Sequence, residues 1–484
     1  MYLAPLRWEP SKRTSYVRCR KLSVCCTMSS EVINLDSINR QNEMETSEYD
    51  LSQTRSSKVK RVLRFICTKV CAGIIIVGII SIVIVCVAFL VSYENDTEVT
   101  LTVGVLKKDL SPEQDVWFKK ALEDLESALN AQINTKKAQN VIMFVVDGFE
   151  PEAISLARVR KYGTNGTFTW ERFPHLGISR WNNRLAIGTA IFGGVGAHTG
   201  TSGVDSSVRP NNCLRLADDR THVESILSWA QEVDLKTGVV TNGDIRKGTT
   251  VALYAHIAND SWACPSMLPD QTQIPGCLDA ETQLMYELPG KKLDVIMGWN
   301  AVEAACDSEH TLQKSWEDDD TLNAEVPSDF WTKITDGDTE YIRAILPESL
   351  RFNVSLQAMI IKSLQVLTKE SDGFVLVVIC EPTSASATGN DINELEESVK
   401  TTMSFLGNSL DETLIITTFT PYFEQQQDIS EDESRDSLIY ATGPMAHLFR
   451  NVHDPTFIAH VVSYAARLGR FRDSLLANSL LQWF

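Results

Sequence analysis

Positive charge is scarce in this 484-residue chain: 45 Lys and Arg stand against 63 Asp and Glu, a formal net charge of −18. Coulomb steering acts on the summed field, so nucleic acid and anionic lipid surfaces are not expected partners. Internal repeats and low-complexity tracts are also lacking, which excludes solenoid and fibrous architectures. Hydrophobic residues make up 43% of the chain, enough to bury the core of one large domain or two ordinary ones and too many for a disordered chain. Long apolar runs are missing too, with a single exception.

That exception, Val70–Ser92 (VCAGIIIVGIISIVIVCVAFLVS), holds 23 residues without a charge. A helix needs about 20 apolar residues to cross a bilayer, so the run reads as a transmembrane helix. A cleaved signal peptide would be shorter and would sit close to residue 1. Lys58, Lys60, Arg61, Arg64 and Lys69 precede the run and Glu94 and Asp96 follow it, which keeps the N-terminus cytoplasmic. The N-glycosylation sequons agree: Asn95, Asn165, Asn259 and Asn353 all lie beyond the span and none lies before it. Residues 1–69 carry 13 basic and 7 acidic side chains, against 32 and 56 beyond residue 69. The expected layout is a disordered cytoplasmic tail over 1–69, a span over 70–92, a stalk over 93–110 and an outer domain over 111–484. This is a single-pass type II membrane protein, expected at the cell surface.

Within the outer part, Ser111-Pro112-Glu113-Gln114 reads as a capping box that opens an amphipathic helix through Trp117, Ala121, Leu125 and Leu129. Short β-branched runs follow at 140–146, 237–241, 293–298, 374–380, 413–418 and 438–442. Helical patterns at 222–233, 278–288, 353–368, 391–410 and 455–468 alternate with them. Continuous apolar strands separated by helices predict an α/β fold, a doubly wound, mostly parallel sheet with helices on both faces. Sites in such sheets form at the carboxyl ends of strands, where Asp147 follows NVIMFVV. A carboxylate there suits a hard cation, and equally a turn or helix cap before Gly148.

Seven blocks carry a family resemblance: AQNVIMFVVDG, FPHLGISR, GVGAHTGTSGV, LYAHIANDSW, LDVIMGWN, IYATGPMAHLF and FIAHVVSYAARL. In this order, from about Ser111 to Arg470, they resemble the eukaryotic alkaline phosphatases. The resemblance implies hydrolysis of phosphate monoesters by a metal-activated serine, with two zinc ions and one magnesium and an arginine holding the phosphoryl oxygens.

Position by position, however, much of that machinery is replaced. Ala186 stands at the nucleophile position, or Arg184 under another gap placement. Thr420-Pro421 stand for a zinc-binding Asp-His pair, Ser384 and Thr388 fall near two further zinc ligands, and Asp432 or Glu433 near the late zinc histidine. Asp260 replaces the phosphate arginine, and like charges about 4 Å apart cost on the order of 4 kcal/mol even at a dielectric near 20. A remnant magnesium set matches best: Asp147, Thr249 and Glu381, or Ile379 in place of Glu381 without an insertion, beside Lys247. His256, His447, His453 and His460 match structural positions of the family rather than ligand positions.

The resemblance also implies a disulfide between Cys213 and Cys277. Cys264 and Cys306 are a second candidate pair, and Cys380 reads as a buried thiol. Five cysteines beyond the span leave at least one unpaired or intermolecular. The family's crown insertion is cut to a polar loop, Phe419 to Ser437, which leaves homodimerisation open.

Two functions follow as expectations. One is a catalytically degenerate pseudophosphatase that binds or scaffolds, with no cofactor beyond at most a single residual divalent cation. The other is a metal-dependent phosphomonoesterase or nucleotide pyrophosphatase with altered ligands, with Thr189 as its candidate nucleophile.

Overall fold

Asn140–Val146 forms strand β1, and every residue of it beyond Asn140 is fully buried. A strand buried on both faces has to be apolar throughout, which is why this run shows no alternation. The computed structural model describes residues 78–84, 111–148, 151–269, 276–300, 306, 341–347, 354–369, 371–382, 389–421 and 434–472. The chain divides into two units, Met1–Thr97 and Glu98–Phe484. In the first, residues 78–84 are helical; the rest of the expected span, the tail 1–69 and the stalk 93–110 lie outside the described residues. Among the described residues no helix is long and apolar enough to cross a membrane.

The second unit is built on a nine-stranded sheet in the order β5-β4-β3-β6-β1-β7-β8-β2-β9. Its other strands are β2 (His175–Asn182), β3 (Lys236–Asp244), β4 (Val295–Asn300), β5 (Ile342–Pro347), β6 (Phe374–Cys380), β7 (Thr413–Phe419), β8 (Ser434–Thr442) and β9 (Asn451–His453). From β5 to β7 all pairs are parallel. β8 is antiparallel to both β7 and β2, so the sheet is mixed at one edge.

Alternate residues of β1 enter opposite layers, as strand geometry demands. Val141, Met143 and Val145 pack with the helices Ile226–Gln231 and Phe457–Ala466 on one face. Ile142, Phe144 and Val146 pack with Leu356–Leu367 and Gly389–Leu406 on the other. The helix Leu356–Leu367 shows the logic: Ser355 caps it by accepting from Ala358 N–H, and Leu356, Met359, Ile360, Ser363, Leu364 and Leu367 form one buried stripe. Each buried large aliphatic contributes roughly 1.5–3 kcal/mol. The Ser111 capping box is present and opens Pro112–Asn130, which buries none of its 19 residues.

The six apolar runs are all strands, with two corrections. The last begins at Ser434, inside the expected polar loop, and β2, β5 and β9 join the sheet without a continuous apolar run of their own. β2 buries only every second residue, and β9 has three.

At the start of β2, His175 is buried and its Nδ1 accepts from Arg450 Nε at 3.3 Å. Burial, then the Arg450 charge, then His447 push its pKa down to about 4. The unfolded chain binds the proton near pH 6.5 while the folded one does not, so this contribution is complete above 6.5 and is lost as pH falls toward 4. Thermal midpoints at pH 7.5 and 4.5 are therefore expected to differ less in His175→Gln than in the native chain; an equal acid loss in both would contradict this linkage.

Candidate functional site at the strand ends

Four adjacent parallel strands, β3, β6, β1 and β7, end on the same rim. Asp147 follows β1, Glu381 follows β6, Thr420 follows β7, and the turn Gly248–Leu253 with Thr249 lies shortly after β3. The backbone ladder extends into this rim: Asp147 N–H donates to Cys380 O at 2.8 Å and Thr420 N–H to Val146 O at 2.9 Å. Asn242 and Glu381 exchange two bonds, Nδ2 to carbonyl at 2.9 Å and backbone N–H to Oδ1 at 2.7 Å.

The Asp147 carboxylate takes one hydroxyl on each oxygen. Thr249 Oγ1 donates to Oδ2 at 2.5 Å, and Thr420 Oγ1 donates to Oδ1. Thr420 Oγ1 in turn accepts from Gly148 N–H at 3.2 Å. Thr249 and Thr420 are buried, so these hydroxyls have few alternative partners and the carboxylate is satisfied by the protein itself. The Glu381 carboxylate lies over Gly243, where a Cβ would come within 2.3 Å of Oε2, and close to Gly248. Ile379 is fully buried in β6, so between the two alternatives Glu381 alone can face a rim ligand.

Ala186 is buried in the segment leading into the π-helical turn Thr189–Gly193, with its N–H bonded to Ala197 O at 3.0 Å. The segment packs directly on the Thr249 turn, since a Cβ on Gly188 would lie 2.6 Å from Thr249 O. Its side chain is a methyl group and offers nothing to attack phosphorus. Thr189, the alternative candidate, is buried, and its hydroxyl accepts from Gly203 N–H at 2.9 Å. Arg184 is exposed on the loop before Ala186. Asp260 is exposed on a turn whose N–H donates to Gly200 O at 3.1 Å.

Zinc does not fit the Thr420-Pro421 position, because proline has no side-chain donor and the threonine hydroxyl is committed to Asp147. Ser384, Thr388, Asp432 and Glu433 lie outside the described residues. Among the described residues no group of three His, Cys, Asp or Glu side chains could hold a metal ion. Asp147, Thr249 and Glu381 are oxygen donors of the type a hard cation takes. Thr420, aligned only as a lost ligand, is the participant the sequence could not supply.

Cys213–Cys277 and Cys264–Cys306 are disulfides, and Cys380 is a buried thiol that burial pushes well above its usual pKa. Asn165 is exposed and Asn259 partly so; Asn95 and Asn353 lie outside the described residues.

A mostly parallel, doubly covered sheet with an Asp after its central strand is an α/β scaffold of the alkaline-phosphatase-like kind. Residues 138–336 match the family described as alkaline phosphatase. The chain is 33% identical to the mouse tissue-nonspecific alkaline phosphatase over 196 residues, 38% of this chain and 37% of that protein. The human isozyme is 32% identical over 217 residues, 41% of each chain. The chain thus spans about two fifths of the length of these mammalian relatives. With the alkaline phosphatase of Gadus morhua the match is 25% identical over 477 residues, 75% of this chain and 98% of that one. In fold, the chain is similar to the alkaline phosphatase of the Antarctic bacterium TAB5, with a TM-score of 0.51 and 18% identity over 69% of this chain and 100% of that one. The Thermus thermophilus enzyme gives 0.52 and 13% over 73% and 98%. The family match lies in residues 138–336, and over longer alignments the chain is similar to alkaline phosphatases in sequence and fold.

Thr420→Val removes the hydroxyl and leaves both Asp147 Oδ1 and Gly148 N–H without it, a cost of about 1–3 kcal/mol. Thermal unfolding should place Thr420→Val well below the native chain and Thr420→Ser close to it, and a chelator should leave the native midpoint in place. A Thr420→Val midpoint equal to the native one would remove the hydroxyl from this account.

Proposed function

We propose that this chain is a type II membrane protein whose outer alkaline-phosphatase domain is a pseudophosphatase, retained for binding or scaffolding rather than turnover. The observation that carries the reading is the pair of replacements on one rim. Ala186 presents a methyl group where the family has its nucleophile, and Thr420 turns its hydroxyl onto Asp147 where the family has a zinc ligand. Asp260 adds a negative charge where phosphate would need a positive one. Fold alone does not establish activity, and here the groups that would act together are absent together. Asp147, Thr249 and Glu381 would hold at most one hard cation, which would brace the rim without activating a nucleophile.

The topology rests on Val70–Ser92. Residues 78–84 are helical, and Ile79, Ile80, Ile82, Val83 and Ile84 are all more than half exposed, as lipid-facing side chains would be. Glycans at Asn95, Asn165, Asn259 and Asn353 fit an outer domain at the cell surface. A homodimer is supported by Pro112–Asn130, which exposes Trp117, Leu125 and Leu129 on a helix that buries nothing.

The purified full chain, supplied with zinc and magnesium, is expected to hydrolyse phosphomonoesters no faster than buffer. Ala186→Ser, Asp260→Arg and the double variant should stay inactive, because one repaired member of a cooperating set returns little. Turnover that copurifies with the native chain and is abolished by Asp147→Ala would overturn the pseudophosphatase reading. Robust turnover in Ala186→Ser alone would show that a working metal set survives.

A further inference from the structure

A cavity lies away from the Asp147 rim. It is a cleft of about 600 Å³ on the helical layer covering one face of the sheet. Ligand sites commonly occupy about 300–1,000 Å³, so the cleft has the size of a binding site. Gly193 and Val195 line one side, residues 222–224 another, Trp229 and His460 come from the two helices of this layer, and Arg470 and Phe471 close it.

The walls are held in place before any ligand arrives. A Cβ on Gly193 would lie 2.4 Å from Val223 Cγ1, so the Val223 side chain packs into the space that a larger residue would take. His460 Nε2 is bonded to Gly194 O at 3.0 Å and His222 Nε2 to Leu216 O at 2.9 Å, and His222 stacks on His256 with ring centroids 4.3 Å apart. Ser463 Oγ donates to Leu468 O at 2.7 Å, and Phe471 packs edge-on against Tyr464, fixing the 468–471 turn. Gly469 lies against the Trp229 ring, where a Cβ would come within 3.0 Å. Groups fixed in this way lose little freedom on binding.

The chemistry of the lining is mixed and nearly balanced in charge. Arg220 is already committed to Asp218 through two bonds of 2.8 Å. Among the described residues Arg470 has no carboxylate partner, the exposed Glu224 has no cation and the Trp229 indole N–H has no acceptor. With both imidazoles anchored by Nε2, each keeps Nδ1 for another partner. The one spare guanidinium is outnumbered by two carboxylates without a cation among the described residues, Glu224 and Asp205, whose Oδ1 accepts only from Ser207, so the lining does not suit a phosphate or any multiply charged anion. Half-buried aromatic surface beside donors and acceptors suits a ring with an apolar C–H face and hydroxyls that both donate and accept.

We propose that this cleft binds a neutral saccharide of two or three rings, one ring lying on Trp229 and its hydroxyls bonded to Arg470 and Glu224. The inference does not depend on whether the Asp147 rim turns over, and the two are tested by separate readouts.

The test is saturation-transfer NMR and calorimetry on the full chain in detergent, with lactose, N,N′-diacetylchitobiose and mannobiose as probes. At least one is expected to bind saturably, with transfer to its ring C–H protons. Trp229→Ala and Arg470→Ala should each weaken that binding by about tenfold or more, the scale of a lost ring contact or charge-assisted hydrogen bond. Trp229→Phe keeps an aromatic ring and should retain most of it. Arg470 is exposed, so its variant reports on binding even if Trp229→Ala fails to fold. Three silent probes, or binding that Arg470→Ala leaves untouched, would overturn the proposal. Preferential binding of a zwitterionic amino acid would overturn the saccharide assignment as well.

Discussion

The Asp147 carboxylate is the point on which the rim closes. It leaves the end of β1 with its backbone N–H on β6, and its two oxygens gather hydroxyls from the ends of two other segments. A buried acceptor left unpaired costs about 1–3 kcal/mol, so the hydroxyls do more than decorate it. They tie β1 to β7 and to the 248–253 turn, and that turn supports the segment carrying Ala186. Thr249, Thr420 and, through the turn, the segment carrying Ala186 are placed relative to this one side chain.

Under the proposed reading, this arrangement explains how a scaffold can outlast its chemistry. The core depends on continuous apolar strands and on helices with a single apolar stripe, and Ala186, Asp260 and Thr420 lie outside the strands. In that reading Thr420 satisfies the carboxylate with a hydrogen bond in place of a metal ligand. In the same reading Ala186 fills the nucleophile position with a side chain small enough to bury. Under the proposed reading, the energetic role of the rim has passed from ion coordination to hydroxyl donation, and the packing beneath it is unaffected by the change.

The parts legible in the sequence were those with a one-dimensional signature. Fully buried strands such as β1 and β6 show as unbroken apolar runs, and the Ser111 capping box shows as four residues in a row. β2 hides because only one of its faces is buried, and β9 because three residues carry no period. The family blocks located Ala186, Thr249 and Asp260, but no alignment shows where a hydroxyl points, so the role of Thr420 emerged only from its contact with Asp147. Glu381 and Ile379 were separated by burial, which a gap in an alignment cannot report. The cleft was invisible for a related reason: its lining comes from four stretches of chain that acquire meaning only when packed together.

The position of β1 also governs how the protein can be made. Its first residue bonds across the sheet to Thr413, 273 positions later, and β6 on its other side is nearly as remote in sequence. The central strand therefore leaves the ribosome long before either neighbour exists. Contacts so distant along the chain form slowly, because loop closure has to be achieved before pairing stabilises anything. During that interval an apolar seven-residue segment with two open edges is exposed, the kind of surface that aggregates or engages chaperones. Production of this protein should accordingly be limited by the handling of that nascent strand, and expression hosts with strong folding assistance should favour it over those optimised for rapid synthesis.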